Sequence, residues 1–430
     1  MMKKILLVLC TFLLLIGTAE AAAREDTAAF QAKYQLQKVL VLSRHNIRSP
    51  LGKTIDTLTP HPWFAWTSAP GELSQKGGEL ETIMGQYFRE RLVHDGLMVE
   101  NEQPKEGEVR FYANSMQRTI ATAQYFSSGM LPVANVRIEH KFAPSQMDPV
   151  FTAAFTFMDD AYQAEVMQQM AAKGGPDGLK GIGAGLADSY RLLENTLDSS
   201  QSEAARSNGF TGFRTDDVEI VLENHNGPYV LNSLQTAVSA SDAMVLQYYE
   251  EADPVKAAFG HKLTAKEWKQ ISQPKDTGME VLCGTHAAAV NLAHPLLQVM
   301  QQEFSLDSRK FTFLCGHDTN LTSVIGALDI EPYTLPNSIE AKTPIGAKLV
   351  FEKWLGRDGQ EYASLDIVYQ STEQLRNRTM LSLASPPMIY PLSFQGLQKN
   401  ADGLYRFQDV MQRFQDVLAE YDQRRARSAD

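Results

Sequence analysis

Three segments of the chain repeat one pattern of apolar and polar positions. In "KVLVLSRHNIR" an apolar run over residues 39–42 gives way to Ser43 and then to a cluster of charge. In "GEVRFYANSMQRTIATAQYF", Val109, Phe111 and Ala113 alternate with polar residues and a helix-like stretch follows. Ser115 is the expected cap of that helix, with Arg118 in its first turn. In "KFTFLCGHDTNLTSVIGAL" an apolar run ends at Gly316, His317 and Asp318 come next, and a helical pattern starts near Asn320. Each segment reads as a strand, a polar cluster, then a helix or loop.

The remaining periodicities fill in an architecture. Leu80, Ile83, Met84, Tyr87, Phe88 and Leu92 recur at helical spacing, which predicts an amphipathic helix over 73–92. "AKLVFEKW" and "YASLDIVYQS", joined by a glycine-containing turn, predict a hairpin. Phe407, Val410, Met411, Phe414, Val417, Leu418 and Tyr421 mark a C-terminal helix. Residues 148–280 carry long helical patterns and few strand runs, so they are expected to form a smaller inserted α-helical domain. The expected fold is α/β: a mixed, mostly parallel sheet flanked by helices, built from 24–147 and 281–430. "GLKGIGAG" at 178–185 lacks the residues of a phosphate loop and reads as a flexible turn.

At 430 residues the chain is long enough for one large domain with an insertion. Its first residues stand apart. "MMKK" precedes the apolar "ILLVLCTFLLLIG", and "TAEAAA" offers cleavage after Ala21 or Ala23. This is the pattern of a secretory signal peptide over 1–21, too short for a comfortable membrane anchor, and it implies a periplasmic or secreted protein. The formal net charge is −11, and about −12 once Lys3, Lys4 and Glu20 are removed with the signal. That balance argues against nucleic acid or an anionic membrane as partner. An anionic substrate would have to be attracted by local charge. Cys283 and Cys315 remain in the mature chain, and a disulfide and two buried thiols are both open readings. No metal-binding spacing occurs, so neither a metal nor another cofactor is expected.

Ligands of open α/β sheets bind beyond the carboxyl ends of the strands. Three like junctions in one sheet would gather Arg44, His45, Arg48, Arg118, His317 and Asp318 in one cleft. Three arginines that close are costly without an anion, and their planar donor forks fit a phosphate. An imidazole nitrogen in the same site can attack phosphorus and carry the phosphoryl group covalently. Arginines and His317 would spread the charge of the transferring group, and a protonated Asp318 would serve the leaving alcohol.

These motifs match a known family. "RHNIRSP" resembles the RHGxRxP motif of the histidine acid phosphatases, and "HDTN" their HD motif. "NSMQRTIATA" is similar to the segment carrying their third arginine, and "LSQKGGEL" to their Leu-[Ser/Thr]-x-x-Gly helix start. The resemblance spans nearly the whole mature chain. It implies His45 as nucleophile and phosphohistidine, with Arg44, Arg48, Arg118 and His317 as phosphate ligands. Asp318 is then the proton donor, no metal takes part, and the site lies between an α/β domain and a smaller helical one. Asn46 stands where most members have glycine, a variant found in the members that act on glucose 1-phosphate. Asn46, Thr319 and, from "LENHNGP", Glu223 are the implied substrate-side residues.

The leading expectation is therefore a periplasmic acid phosphatase acting on small phosphate monoesters, with glucose 1-phosphate first among them. A phytase acting on inositol hexakisphosphate and a broad-specificity acid phosphatase are same-class alternatives. Ser49 and Leu51 replace the alanine and threonine of many phytases. A non-catalytic anion-binding protein is the alternative of another class, and it would need neither His45 nor Asp318.

Overall fold

Val39 to Leu42 are all buried because the strand that carries them is covered on both faces. The computed structural model describes residues 28–52 and 55–428. The apolar leader and its cleavage sites lie outside them. The strands in chain order are β1 (Tyr34–Arg44), β2 (Val109–Ala113), β3 (Ile138–Glu139), β4 (Glu219–Val221), β5 (Tyr229–Leu231), β6 (Phe311–Gly316), β7 (Lys348–Gly356), β8 (Glu361–Tyr369), β9 (Met388–Pro391) and β10 (Tyr405–Arg406).

One mixed sheet runs β10-β8-β7-β1-β6-β2-β3, with β9 paired to β8. The β1-β6-β2-β3 portion is parallel. β7 pairs antiparallel with both β1 and β8, and β7–β8 form the hairpin that the sequence predicts. Alternate residues of β1 feed opposite faces, as the two-residue period of a strand requires. Val39 and Val41 pack with Met84, Phe88 and Phe126 from the helices Gln75–His94 and Gln117–Met130. Leu40 and Leu42 pack into the cluster that holds Leu297 and Phe414, from the helices His286–Ser305 and Phe407–Arg427.

Between 148 and 280 the chain forms helices, chiefly Asp160–Ala172, Ala187–Thr196, Asn232–Glu250 and Ala265–Cys283, with the small β4–β5 hairpin among them. Val166, Leu193, Met244 and Ile271 from these helices belong to the same buried cluster as Leu40 and Leu42. The helical segment thus shares a core with one face of the sheet.

Three local expectations are corrected. "GLKGIGAG" is not a turn, since Leu179–Gly185 is a short helix. Its glycine at 183 lets it lie directly on the Thr215 carbonyl, where a Cβ would collide. Ser115 does not cap the helix after β2. Met116 occupies that position, and the Ser115 hydroxyl instead accepts the Phe142 N–H at 3.0 Å. The helix after β6 starts at Asp318 rather than near Asn320, because the Asn320 Oδ1 accepts the His317 N–H at 2.9 Å and closes the first turn early.

Among the described residues both cysteines are buried free thiols. Burial pushes the Cys283 thiol up to about 12 and Cys315 well above the usual range.

The helices Gln75–His94 and Gln117–Met130 meet backbone to backbone. A Cβ on Gly85 would strike the Phe126 carbonyl, and one on Gly129 the Thr82 carbonyl. Gly85→Ala should therefore force the pair apart and cost about 2 kcal/mol or more. Urea unfolding of the variant beside wild type measures this. An unchanged midpoint would show that the helices separate freely.

Candidate active site

The parallel register of β1, β6 and β2 brings three strand ends level. Arg44 is opposite Gly316, and Ala113 opposite Cys315. The chain leaves each strand still hydrogen-bonded to its neighbour: His45 N–H donates to the Gly316 carbonyl at 3.0 Å and Asn114 N–H to the Cys315 carbonyl at 2.9 Å. Helices then begin at Gln117 and Asp318, carrying Arg118 and Asp318 in their first turns. The result is one buried group of Arg44, His45, Arg48, Arg118 and His317, with Asp318 partly exposed beside it. The His45 and His317 rings lie edge to face, with centroids 5.4 Å apart.

Each imidazole has its tautomer fixed by a neighbour. His45 Nδ1 lies 2.9 Å from the Asn46 carbonyl, which can only accept, so Nδ1 carries the proton. Burial first, then Arg118, His317, Arg48 and Arg44, holds this ring well below the usual histidine range. His45 is therefore neutral, and its Nε2 keeps a free lone pair. His317 is set the opposite way. Asn114 Oδ1 accepts the Asp148 N–H at 2.9 Å, which turns the Asn114 Nδ2 toward His317 Nε2 at 2.7 Å. Nε2 accepts, so the neutral ring bears its proton on Nδ1. Burial and Arg118 push His317 down to about 3. Its Nδ1 is 3.5 Å from Arg118 Nη2, so two donors face each other there. Among the described residues, the buried Nε groups of Arg44, Arg48 and Arg118 also lack a hydrogen-bond acceptor. An anion with several acceptor oxygens satisfies such a set.

The arginines are anchored from behind. Arg44 Nη1 donates to Glu340 Oε1 at 2.7 Å and to the Thr343 carbonyl at 2.6 Å, while its Nη2 is 3.2 Å from Asp318 Oδ2. Arg48 Nη2 donates to Asp242 Oδ2 at 2.9 Å. Lys275 sits behind both, with Nζ 3.2 Å from Asp242, 3.2 Å from Glu340 and 3.5 Å from Asp318. Arg44 and Lys275 outweigh burial and hold the Asp318 carboxyl well below the usual carboxylate range. With both histidines neutral, and the buried Asp276 carboxyl raised to about 7 and so protonated on the acid side, four cations face three carboxylates and one positive charge is left over for a ligand.

Arg44, His45, Arg48, Arg118, His317 and Asp318 are thus brought together. Thr319 enters through its backbone, donating N–H to Asp318 Oδ1 at 3.0 Å. Asn46 is buried with both polar groups engaged in the wall: Nδ2 donates to Glu81 at 2.7 Å and Oδ1 accepts the Ile47 N–H at 2.8 Å. Glu81 is itself paired with the buried Lys348 at 3.1 Å. Glu223 is exposed in the β4–β5 loop, bonded to Asn226 and Tyr229 and to no residue of the cluster.

Four partners escaped the sequence reading: Asn114, Asp242, Lys275 and Glu340. Lys275 had a signal. It falls on the apolar stripe of its helix with Trp268, Ile271, Gly278 and Leu282, where a charge needs a reason. Asp242 likewise has Val238, Val245 and Leu246 at helical spacing. Glu340 lies in an irregular loop with no period to mark it.

A strand-end cluster that sets a neutral imidazole among arginines with unmet donors is the equipment of a phosphoryl-handling protein, and known proteins similar to this chain agree. The family model for the histidine phosphatase superfamily (branch 2) matches residues 35–176. The chain belongs to this family, and its relatives make it a phosphoric monoester hydrolase. It is 35% identical to a glucose-1-phosphatase of Providencia rettgeri, over 87% of this chain and 89% of that one. A glucose-1-phosphatase of Salmonella typhimurium is also 35% identical, over 90% and 95%. Among solved structures, a phytase of Hafnia alvei in complex with myo-inositol hexakis sulphate superposes with a TM-score of 0.81 at 25% identity, covering 91% of this chain and 98% of that one.

The histidines should separate in a proton-titration experiment on the free protein. NMR of the imidazole carbons should show His45 and His317 neutral throughout pH 5–8. His286, held by Asp329 and Glu420 and raised to about 10, should stay charged over the same range. A His45 resonance titrating in the ordinary histidine range would contradict the tautomer argument.

Proposed function

We propose that this protein is a periplasmic glucose-1-phosphatase working through a phosphohistidine. One observation carries the mechanism: a neutral imidazole with Nδ1 tied to a carbonyl, set among three arginines with unmet donors. His45 Nε2 attacks phosphorus, and the bond from phosphorus to the sugar oxygen breaks. Arg44, Arg48, Arg118 and the Nδ1–H of His317 hold the equatorial oxygens as charge spreads over them. Asp318 gives its proton to the departing oxygen. In the second step a water attacks the phosphohistidine, Asp318 takes that water's proton, and His45 is regenerated with release of phosphate.

Arg44 and Lys275 keep Asp318 ionised while the arginines have no anion to bind. A phosphate dianion on those arginines opposes that charge and raises the carboxyl's affinity for a proton. The proton donor is therefore formed with substrate in place, and an acid-side optimum follows.

Glucose 1-phosphate is favoured by the two glucose-1-phosphatases, which stand at higher identity than the phytase. Inositol hexakisphosphate is the second reading, supported by the inositol hexakis sulphate held in the Hafnia alvei phytase. Periplasmic export rests on the N-terminal apolar leader. No helix among the described residues is long and apolar enough to cross a membrane.

Rates of phosphate release from glucose 1-phosphate and inositol hexakisphosphate, compared at equal concentration, test the substrate, and a faster rate on the inositol ester reverses the assignment. His45→Ala should abolish turnover and the acid-labile phosphoenzyme, whereas retained activity would exclude the covalent route. Asp318→Asn should slow glucose 1-phosphate by about a hundredfold or more and p-nitrophenyl phosphate far less, since nitrophenolate leaves without a proton. An equal loss on both would remove Asp318 from the protonation step.

A further inference from the structure

A lysine at 5% exposure in the middle of a helix is expensive to keep charged, and Lys275 is surrounded by a reason to keep it. Its ammonium touches three carboxylates from three separate elements. Asp242 comes from the helix Asn232–Glu250, Asp318 from the first turn after β6, and Glu340 from the loop before β7. Two of these are the anchors of Arg48 and Arg44. The third is the group assigned to proton transfer. No other lysine among the described residues reaches this cluster by a hydrogen bond or ion pair.

We propose that Lys275 is a positioning residue for proton transfer: its ammonium sets the charge and place of Asp318 while tying down the two carboxylates that hold Arg44 and Arg48. The inference rests on the phosphatase reading of the same site and goes beyond it, because Lys275 acts through Asp318 and the arginine anchors and has no assigned part in the bond changes. Asp318 is faced by Arg44 from β1, by His45 from the loop after it, and by Arg118 from the helix after β2. His317 precedes it, Glu340 from the loop before β7 shares Arg44 and Lys275 with it, and Asp242, Lys275 and Cys283 face it from the helical segment. Of these, only Arg44 and Lys275 make an ion pair with its carboxylate. Lys275 alone also spans both arginine anchors.

The sign of the effect follows. A cation beside a carboxylate favours its ionised form, so removing Lys275 makes Asp318 easier to protonate. In the enzyme–substrate complex the proton donor then survives to higher pH. The alkaline limb of the kcat profile should move up by about one pH unit or more in Lys275→Met. Binding should weaken at the same time, because the leftover positive charge is cancelled and Asp242 and Glu340 draw more tightly on their arginines. KM for glucose 1-phosphate and the inhibition constant of inorganic phosphate should both rise on the order of tenfold.

The experiment compares wild type with Lys275→Met, Lys275→Gln and Lys275→Arg in the full exported chain. Each pH profile is read beside circular dichroism and Tm. The glutamine keeps hydrogen-bond donors without charge and stands in if the methionine variant does not fold. The arginine keeps the charge and should return the limb toward its wild-type position. A folded neutral variant whose limb and phosphate inhibition match wild type overturns the proposal. So does failure of both neutral variants to fold, which would assign Lys275 to the fold alone. A wild-type protein that releases phosphate from no monoester would instead overturn the phosphatase reading beneath it.

Discussion

Arg44, Arg48, Arg118 and Lys275 sit close together where little water reaches, and the structure depends on how Asp242, Asp318 and Glu340 balance them. Isolated buried charges of this kind would cost many kcal/mol. Paired, they form a rigid floor of fixed geometry. The balance is incomplete by one charge, so a small anion is the natural completion. Burial first, and then the same field, keeps both histidines neutral. Phosphate affinity and a nucleophilic imidazole thus both draw on one buried charge distribution.

The sheet and the helical segment divide this task. The parallel strands deliver Arg44, His45, Arg118, His317 and Asp318, which would meet the phosphoryl group, from three level strand ends. The helical segment delivers Asp242 and Lys275, which oppose and steady them. Neither part could be removed without leaving uncompensated charge in the other. Their shared apolar core fits that mutual dependence, since a hinge between them would vary ion pairs that need distances near 3 Å.

Much of this was legible in the sequence. An apolar run ending in a polar cluster announces a buried strand meeting a site, and three such runs located six of the site residues. The hairpin and the C-terminal helix followed from periods of two and 3.6. What was not legible depended on contacts between distant segments. Ser115 carried the right chemistry for a cap, but its hydroxyl was taken by Phe142. Asn46 marked the family variant, yet its side chain is spent on Glu81 and Ile47, a fact that only the packing of the helix Gln75–His94 against the loop could disclose. Glu340 had no local pattern at all. Lys275 and Asp242 were visible as charges on apolar stripes, and their meaning lay in each other.

The two buried thiols have a consequence for how the molecule comes into being. Cys283 and Cys315 are enclosed by apolar packing and joined to nothing. Among the described residues no covalent crosslink has to be made before the native arrangement is reached. Acquisition of structure therefore consumes no oxidant, and oxidising surroundings can act on these thiols only before they are buried. A chain of this kind can mature wherever it is released from synthesis or export, with no oxidising catalyst in attendance.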